Sequence, residues 1–220
     1  NILRDFNKWL LLNLSNPTKI LGPEKANLRF NIIRSMLIDI IPNLANIKPV
    51  NDKDFNELLY VEMDENEIPF ERGVRFEHTS SGLRSLICMI GDMMIRLFDQ
   101  QPEITDTAEL GGIVLIDEID IHLHPKWQKI LPQVLSQYFP KIQFIVTTHS
   151  PIPLLGAPEN STIYVIARNI EKGIYLRNLD YLHVENLLPN TIFTSPIFGM
   201  DTLVADANTD ISKVNVDDNM

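Results

Sequence analysis

One apolar segment that ends in two carboxylates limits the possible folds of this chain more than any other feature. Residues 113–116 are consecutive aliphatic residues, and Asp117 and Glu118 follow them directly. A short continuous apolar run is typical of a strand that is buried on both faces, as in a parallel sheet. Two adjacent carboxylates at the end of such a strand are costly unless a cation or hydrogen bonds stabilise them. A solvated acidic turn is the alternative, and the pair by itself favours a functional site over it.

A second apolar strand is predicted over residues 142–147, and His149 lies just beyond it. A helix is predicted between the two strands, over residues 126–138, with Pro125 near its first turn. Strand, helix and strand in this order indicate a parallel α/β sheet with right-handed crossovers. Because functional groups in such sheets gather at the carboxyl ends of the strands, we expect His149 to lie near Glu118. A single histidine after a strand is more often structural, so the case for a functional His149 depends on its expected proximity to Glu118.

A hydroxyl-rich segment forms a third candidate site. Residues 79–82 read Thr-Ser-Ser-Gly and precede a long predicted helix whose apolar stripe runs from Leu83 to Leu97. Hydroxyl groups and free backbone N–H groups at a helix N-terminus can bind an anion, and Gly82 would let the backbone approach it closely. The alternative is that Ser80 is an ordinary N-cap residue.

The remaining segments give weaker signals. Apolar residues at helical spacing predict two helices over roughly residues 6–14 and 33–40, before a segment that contains Pro42 and Pro49. Strand signals with Gly or polar turns between them lie in further segments, namely 58–63 with 68–70, and 162–167 with 174–176. The second pair is predicted to be a hairpin with Gly173 near its turn. The last twenty residues are polar and acidic.

Composition narrows the classes of protein to which the chain can belong. It has 220 residues, of which 45% are hydrophobic, enough for one sizeable core or one core with a small lobe. The net charge of −10 argues against wrapping nucleic acid by phosphate contacts alone. No segment approaches the roughly 18 apolar residues of a membrane span. The single Cys88, expected to be a packed thiol, cannot form an internal disulfide and favours a cytoplasmic location.

Taken in series, the motifs resemble those of an ABC-type ATPase head. The resembling segments are residues 79–84 for the LSSGE or LSGGQ signature, 113–118 for the Walker B strand, 119–125 for the D-loop and 148–150 for the H-loop. The form of residues 117–125, followed by Trp127 and Gln128, is similar to the cytosolic AAA-21 branch related to RecF, SMC and OLD ATPases. That branch includes anti-phage defence ATPases such as the Septu- and retron-associated ones. The resemblance covers about residues 1–200.

The resemblance implies a fold and a division of the chain. The expected fold is α/β, a P-loop NTPase of ABC type with a parallel sheet, flanking helices and an N-terminal helical lobe. The implied parts are a helical lobe over 1–50, the C-terminal half of the ATPase domain over 51–200, and an acidic tail over 201–220.

The resemblance also assigns roles to residues. Asp117 would bind Mg²⁺ through water, Glu118 would polarise the hydrolytic water, and His149 would contact the γ-phosphate of ATP. Four further residues would bind the nucleotide, namely Ser80, Ser81 and Gly82 in the signature and His124 at the end of the D-loop. Since the signature residues would contact a nucleotide held by a second subunit, the implied active form is a dimer of heads.

The sequence departs from this family pattern in several places. Thr79 replaces the leading leucine of the signature. His122 and His124 could be interpreted as a metal-binding pair, but no third ligand stands nearby. No Gly-x-x-x-x-Gly-Lys-Ser/Thr loop is present, and Gly111-Gly112 precedes a strand and cannot substitute for it. Since that loop precedes the helical lobe in the family, and the chain begins with Asn1, we expect an upstream part.

Three functions are compatible with these motifs. The first is ATP hydrolysis at a head-to-head dimer interface that drives a DNA-related or anti-phage defence machine. The second is a nucleotide-gated assembly module with little hydrolysis, which controls a separate effector such as a nuclease. Nucleic acid binding remains possible, but not through this acidic segment alone. The third, an intrinsic OLD-type nuclease, is disfavoured because residues 151–220 lack the strand pattern of a nuclease domain.

Overall fold

The computed structural model describes residues 5–15, 22–41, 43–52, 55–121, 123–169 and 173–179, together with residue 198. They belong to two units, residues 1–158 and residues 159–220. The boundaries predicted after residues 50 and 200 stay a prediction, and the acidic tail lies outside the described residues.

Three helices supply much of the core of the larger unit. They are α1 (Phe6–Ser15), α2 (Gly22–Ile40) and α3 (Ser81–Gln100). The two helices expected before Pro42 are confirmed as α1 and α2. Gly91 of α3 allows close packing of α1, because a Cβ atom built on it would lie 2.5 Å from Cγ of Phe6.

An antiparallel sheet follows α2 and has the strand order β1-β2-β3. Its strands are β1 (Leu44–Asp52), β2 (Phe55–Glu62) and β3 (Val74–Arg75). The strand predicted over 58–63 is confirmed as β2, but its main partner is β1, which the sequence signals did not indicate. The predicted partner over 68–70 contributes only a bridge between Met63 and Pro69. Pro49 is tolerated in β1 because an edge strand can leave a backbone position without a donor.

The parallel pair predicted from the apolar segments is present. Strand β4 (Gly112–Ile116) leads through helix α4 (Pro125–Tyr138) to β5 (Ile142–Val146), and β4 pairs with β5 in parallel. The register places Ile116 opposite Val146, so the two strands end together. The α/β fold class with flanking helices is thereby confirmed.

The prediction that both strands are buried on both faces is wrong. Side chains on one face pack against the core, among them Val114 and Phe144. On the other face Ile113, Leu115 and Ile145 are 63%, 75% and 49% exposed. The described residues of this unit cover the sheet with helices on one side only, so period-2 alternation decides which aliphatic side chains are buried.

A buried cation holds the connection between α3 and β4. Arg29 of α2 is 4% exposed and donates hydrogen bonds to the carbonyl oxygens of Pro102, at 2.7 Å, and of Ile104. Its guanidinium also lies 4.2 Å from the ring centroid of Phe98. Two carbonyl acceptors and an aromatic face compensate the charge, so the polar connection of residues 101–111 is fixed to the helices before β4 begins.

The smaller unit contains a hairpin of β6 (Tyr164–Asn169) and β7 (Gly173–Asn178). The hairpin predicted over 162–167 and 174–176 is thereby confirmed. Gly173 begins β7 with a φ of 67°, a conformation that favours glycine.

Two smaller expectations concern the rest of the described residues. No helix among them is long and apolar enough to cross a membrane. Cys88 lies half-buried on α3, and burial raises the pKa of its thiol, which favours the protonated and unreactive form.

Candidate functional site

The carboxyl ends of β4 and β5 lie side by side and carry the residues singled out in the sequence. Backbone pairing continues past the strands, since Thr147 N–H donates to Ile116 O at 3.0 Å and Ile119 N–H donates to Thr147 O at 3.0 Å. This pairing brings Asp117 and Glu118 against the segment that leads to His149. The topology inferred from strand, helix and strand therefore predicts the neighbourhood correctly.

The hydroxyl of Thr147 connects the two carboxylate residues. It donates a hydrogen bond to Oδ1 of Asp117 and accepts one from the backbone N–H of Glu118 at 2.8 Å. Glu118 has a φ of 53°, in the left-handed region that non-glycine residues seldom adopt. The hydroxyl thus orients one carboxylate and helps to hold the backbone from which the other projects. Sequence reasoning missed Thr147, whose one signal is a hydroxyl residue at the very end of an apolar strand.

Glu118 and His149 face each other across an open space. Nε2 of His149 lies 4.0 Å from Oε1 of Glu118, and their side chains are 90% and 41% exposed. This separation is too long for a direct hydrogen bond. A water molecule between the two groups could accept a hydrogen bond from the imidazole and donate one to the carboxylate, whereas a phosphate oxygen could only accept one from the imidazole. The arrangement is suited to orienting a small polar reactant.

The acidic edge fits a hard cation. Thr147 engages Oδ1 of Asp117, while Oδ2 of that carboxylate makes no hydrogen bond within the described residues. A free carboxylate oxygen at an open edge is a donor that Mg²⁺ prefers, with water completing its shell. No group of three His, Cys, Asp or Glu residues that could hold a metal by itself occurs in the described segments. Among the described residues, Asp117 is thus a single Mg²⁺ ligand whose partners would be water and ligand oxygens.

The signature-like segment lies at the start of α3. Ser80 is its N-cap and accepts a hydrogen bond from Leu83 N–H at 3.3 Å, as the ordinary capping alternative predicted. Ser81 is exposed and Gly82 is half-exposed. No hydrogen bond or ion pair between described residues joins this segment to Asp117, Glu118 or His149. Capping does not exclude anion binding, because the other N–H groups of a first helical turn lack intrahelical partners. The nucleotide-binding role of these residues stays a prediction.

The D-loop-like segment ends at a second helix cap. His124 is the N-cap of α4, and its Nδ1 accepts a hydrogen bond from Lys126 N–H at 3.3 Å. This contact occupies one ring nitrogen of an exposed residue and leaves Nε2 for a ligand. His122 lies outside the described residues, so the structure does not test the interpretation of His122 and His124 as a metal-binding pair. The role of His124 toward a nucleotide also stays a prediction.

Comparison with known proteins identifies the family to which the chain belongs. Residues 5–153 match the family AAA_21, described as "AAA domain, putative AbiEii toxin, Type IV TA system". The matched segment includes both helix caps and the whole edge formed by β4 and β5. The chain therefore belongs to this family, and the family expected from the motifs is confirmed.

Several relatives with curated names are similar to parts of this chain. The chain is 49% identical over 75 residues to "Retron Vc95 probable ATPase" of Vibrio cholerae serotype O1 biovar El Tor, covering 34% of this chain and 15% of that protein. It is 36% identical over 138 residues to "Septu protein PtuA" of Bacillus mycoides (strain KBAB4), covering 61% and 18%. It is 32% identical over 151 residues to "Retron Ec83 probable ATPase" of Escherichia coli, covering 66% and 26%. The chain thus spans about a quarter or less of these relatives.

Among solved structures, the chain is similar to heads of SMC proteins. One comes from work titled "Structural biochemistry of ATP-driven dimerization and DNA stimulated activation of SMC ATPases", with a TM-score of 0.49, 16% identity, and coverage of 70% of this chain and 84% of that one. Another is an SmcHead bound to the C-winged helix domain of ScpA, with a TM-score of 0.48, 18% identity, and coverage of 79% and 49%.

Proposed function

We propose that this chain supplies the hydrolytic side of an ATPase site. The observation that carries the proposal is the edge where the Thr147 hydroxyl orients Asp117 and holds Glu118 in a left-handed conformation, with His149 facing Glu118 across 4.0 Å. A strained residue held in place by its surroundings is characteristic of functional sites. The family membership and the relatives that are named as ATPases support the same assignment.

Each residue at this edge has a part in phosphoryl transfer to water. Bound Mg²⁺ would neutralise charge on the phosphates, and Asp117 would hold it through water. Glu118 would accept a hydrogen bond from the attacking water and orient it. The imidazole of His149, exposed on the opposite side, would donate a hydrogen bond to a phosphate oxygen. Positioning and electrostatics are the main means of catalysis in this class of reaction.

A complete site needs groups that this sequence does not contain. It has no Gly-x-x-x-x-Gly-Lys-Ser/Thr motif to hold the phosphates. We propose that the triphosphate is held by parts of the complete protein outside these 220 residues. We also propose that the exposed start of α3, with Ser80, Ser81 and Gly82, meets a nucleotide on a second head, with His124 also near the nucleotide.

The biological setting is proposed from the relatives alone. Two of them are named as probable ATPases of retrons, and another is named as a Septu protein. We propose that hydrolysis here serves an anti-phage defence assembly, in which a second head and an effector such as a nuclease are the partners.

The test is turnover by the complete protein that contains this chain. Glu118→Gln keeps the size of the side chain and removes the carboxylate, so kcat should fall by about 10² or more, as for loss of a general base. Glu103→Gln makes the same chemical change at an exposed turn and should leave kcat unchanged. Equal turnover by the two variants would exclude Glu118 as the group that orients water.

The same measurement separates hydrolysis from nucleotide-gated assembly. If the unmodified protein dimerises with ATP but turns over no faster than Glu118→Gln, it acts as a clamp that controls its effector by binding. Dimerisation can be followed by light scattering with and without ATP. Turnover by the unmodified protein well above that of Glu118→Gln favours ATP hydrolysis as the function.

A further inference from the structure

The side-chain amide of Gln128 joins two loops of the candidate site. Its Nε2 donates hydrogen bonds to Asp120 O at 3.1 Å and to Leu123 O at 3.0 Å. Its Oε1 accepts a hydrogen bond from Ser150 Oγ at 3.0 Å. A primary amide has two N–H donors, and both are used, so the group is fixed at both ends. Gln128 therefore connects the loop that follows Glu118, at Asp120 and Leu123, to the segment that contains His149.

The segment on the far side is built around small hydroxyl groups. Ser150 Oγ also accepts a hydrogen bond from Ile152 N–H at 3.2 Å, and Thr148 Oγ1 accepts one from Ser150 N–H at 3.0 Å. Thr148 Oγ1 in turn donates to the carboxylate of Asp120. Residues on both sides of His149 are thus tied to the loop that follows Glu118.

The position of His149 depends on these neighbours. Its own side chain is 90% exposed, so packing does little to hold it. Its orientation toward Glu118 follows from the backbone between Thr148 and Ser150. The Gln128 amide is half-buried, and losing it would leave two carbonyl groups and one hydroxyl without this partner.

We propose that Gln128 is a positioning residue that couples the loop that follows Glu118, through Asp120 and Leu123, to the segment of residues 148–152. A ligand or partner that displaces the first loop then displaces His149, and binding at His149 acts on the loop in return, since such coupling is reciprocal. The coupling is a property of this chain, whereas its effect on hydrolysis rests on the function proposed above.

Amide hydrogen exchange of the chain, read by NMR, tests the coupling directly. The reporters are Ile121 and Leu123 on one loop, whose N–H groups bond to Glu118 O and Asp120 O, and Ser150 and Ile152 on the other segment. Gln128→Leu should speed exchange at all reporters by about tenfold, as expected when local opening becomes easier. Gln133→Leu makes the same change at an exposed position of the same helix and should have no effect.

A double-variant cycle distinguishes coupling from general loosening. Ser150→Ala removes the far end of the connection and also the acceptor of Ile152 N–H, so faster exchange at Ile152 is expected in any case; coupling requires faster exchange at Ile121 and Leu123 as well. The double variant with Gln128→Leu should then exchange no faster than Gln128→Leu alone at these two amides, because one connection has been cut twice. Faster exchange confined to Ser150 and Ile152 in Ser150→Ala, or additive effects in the double variant, would overturn the proposal.

Turnover of the complete protein provides the separate readout. Gln128→Leu should lower kcat by about tenfold with little change in KM, since an interaction that orients a group in the transition state is weakened. Unchanged kcat together with faster exchange would overturn the positioning of His149 by Gln128. Absence of turnover in the unmodified protein would instead overturn the proposed function and leave the exchange test to decide the coupling.

Discussion

Replacing Glu118 by glycine should make the chain more stable than replacing it by alanine. Glu118 has a φ of 53°, where an L-residue costs about 1–2 kcal/mol relative to a right-handed conformation. Alanine removes the carboxylate but keeps this strain, whereas glycine removes both. Both variants keep the backbone N–H that bonds to Thr147 Oγ1. The difference between the two variants therefore isolates the backbone strain from the loss of the side chain.

The magnitude follows from two opposing terms. Relief of strain contributes about 1–2 kcal/mol, while the greater freedom of glycine in the unfolded chain costs about 0.4–1 kcal/mol. Taking the middle of each range, Glu118→Gly should therefore exceed Glu118→Ala in the free energy of unfolding by about 0.8 kcal/mol. With a urea dependence of about 2 kcal/mol per molar, the midpoint would rise by roughly 0.3–0.5 M.

Urea unfolding followed by tryptophan fluorescence measures this difference. Trp9 and Trp127 are the tryptophans of the chain, and both belong to the larger unit that contains Glu118. A matched pair at Glu103, where φ is not positive, should give the opposite sign, with glycine less stable than alanine. If glycine is also the less stable residue at position 118, the left-handed conformation is not a source of strain and the reasoning is refuted.

Three further predictions follow from single contacts. Thr147→Val should lower ATP turnover of the complete protein by about tenfold, because two hydrogen bonds are lost, whereas Thr147→Ser should keep most of the activity. Equal turnover by Thr147→Val and the unmodified protein would show that the hydroxyl does not orient the site. Gly156→Ala places a Cβ atom 1.5 Å from Lys129 O and should lower the free energy of unfolding, measured by urea titration, by about 1–3 kcal/mol. Gly111→Ala, whose Cβ atom would lie 3.9 Å from its nearest neighbour, should leave that free energy unchanged. Burial raises the pKa of Tyr60 from its usual 10.0, so the stability it contributes is full below that pH and is lost as pH rises above it; Tyr60→Phe should flatten this alkaline decline in urea titrations, and an unchanged slope would contradict it.

The sequence indicates the chemistry of the site more readily than its architecture. Hydrophobic runs that end in Asp117-Glu118 and in His149 predict a shared edge because parallel strands joined by one helix place their carboxyl ends together. The connections between these groups are made by Thr147, Gln128 and Ser150, which have no periodicity and no charge to distinguish them. Hydroxyl and amide side chains are common on protein surfaces, so only their register and direction reveal a role.

The errors in the fold have a related cause. An apolar run such as residues 113–116 has the same composition whether one face or both faces of the strand are covered. The number of layers packed against the sheet decides which side chains are buried. The exposure of Leu115 at 75% beside the partly buried Val114 shows alternation that the sequence does not display. Strand β1 was missed because Pro49 usually argues against a strand, whereas an edge position can accommodate it.

The arrangement of the edge also explains why the candidate catalytic carboxylate can be strained without a bulky support. The backbone of Glu118 donates a hydrogen bond to Thr147 Oγ1 and accepts one from Ile121 N–H, and the next residue, Ile119, is 2% exposed and donates to Thr147 O. A buried aliphatic side chain and two contacts to one threonine fix the chain on either side of the left-handed residue. The carboxylate itself remains solvent-accessible, where it can meet a water molecule. Thr147, rather than packing around Glu118, is therefore the group on which the orientation of the carboxylate should depend most.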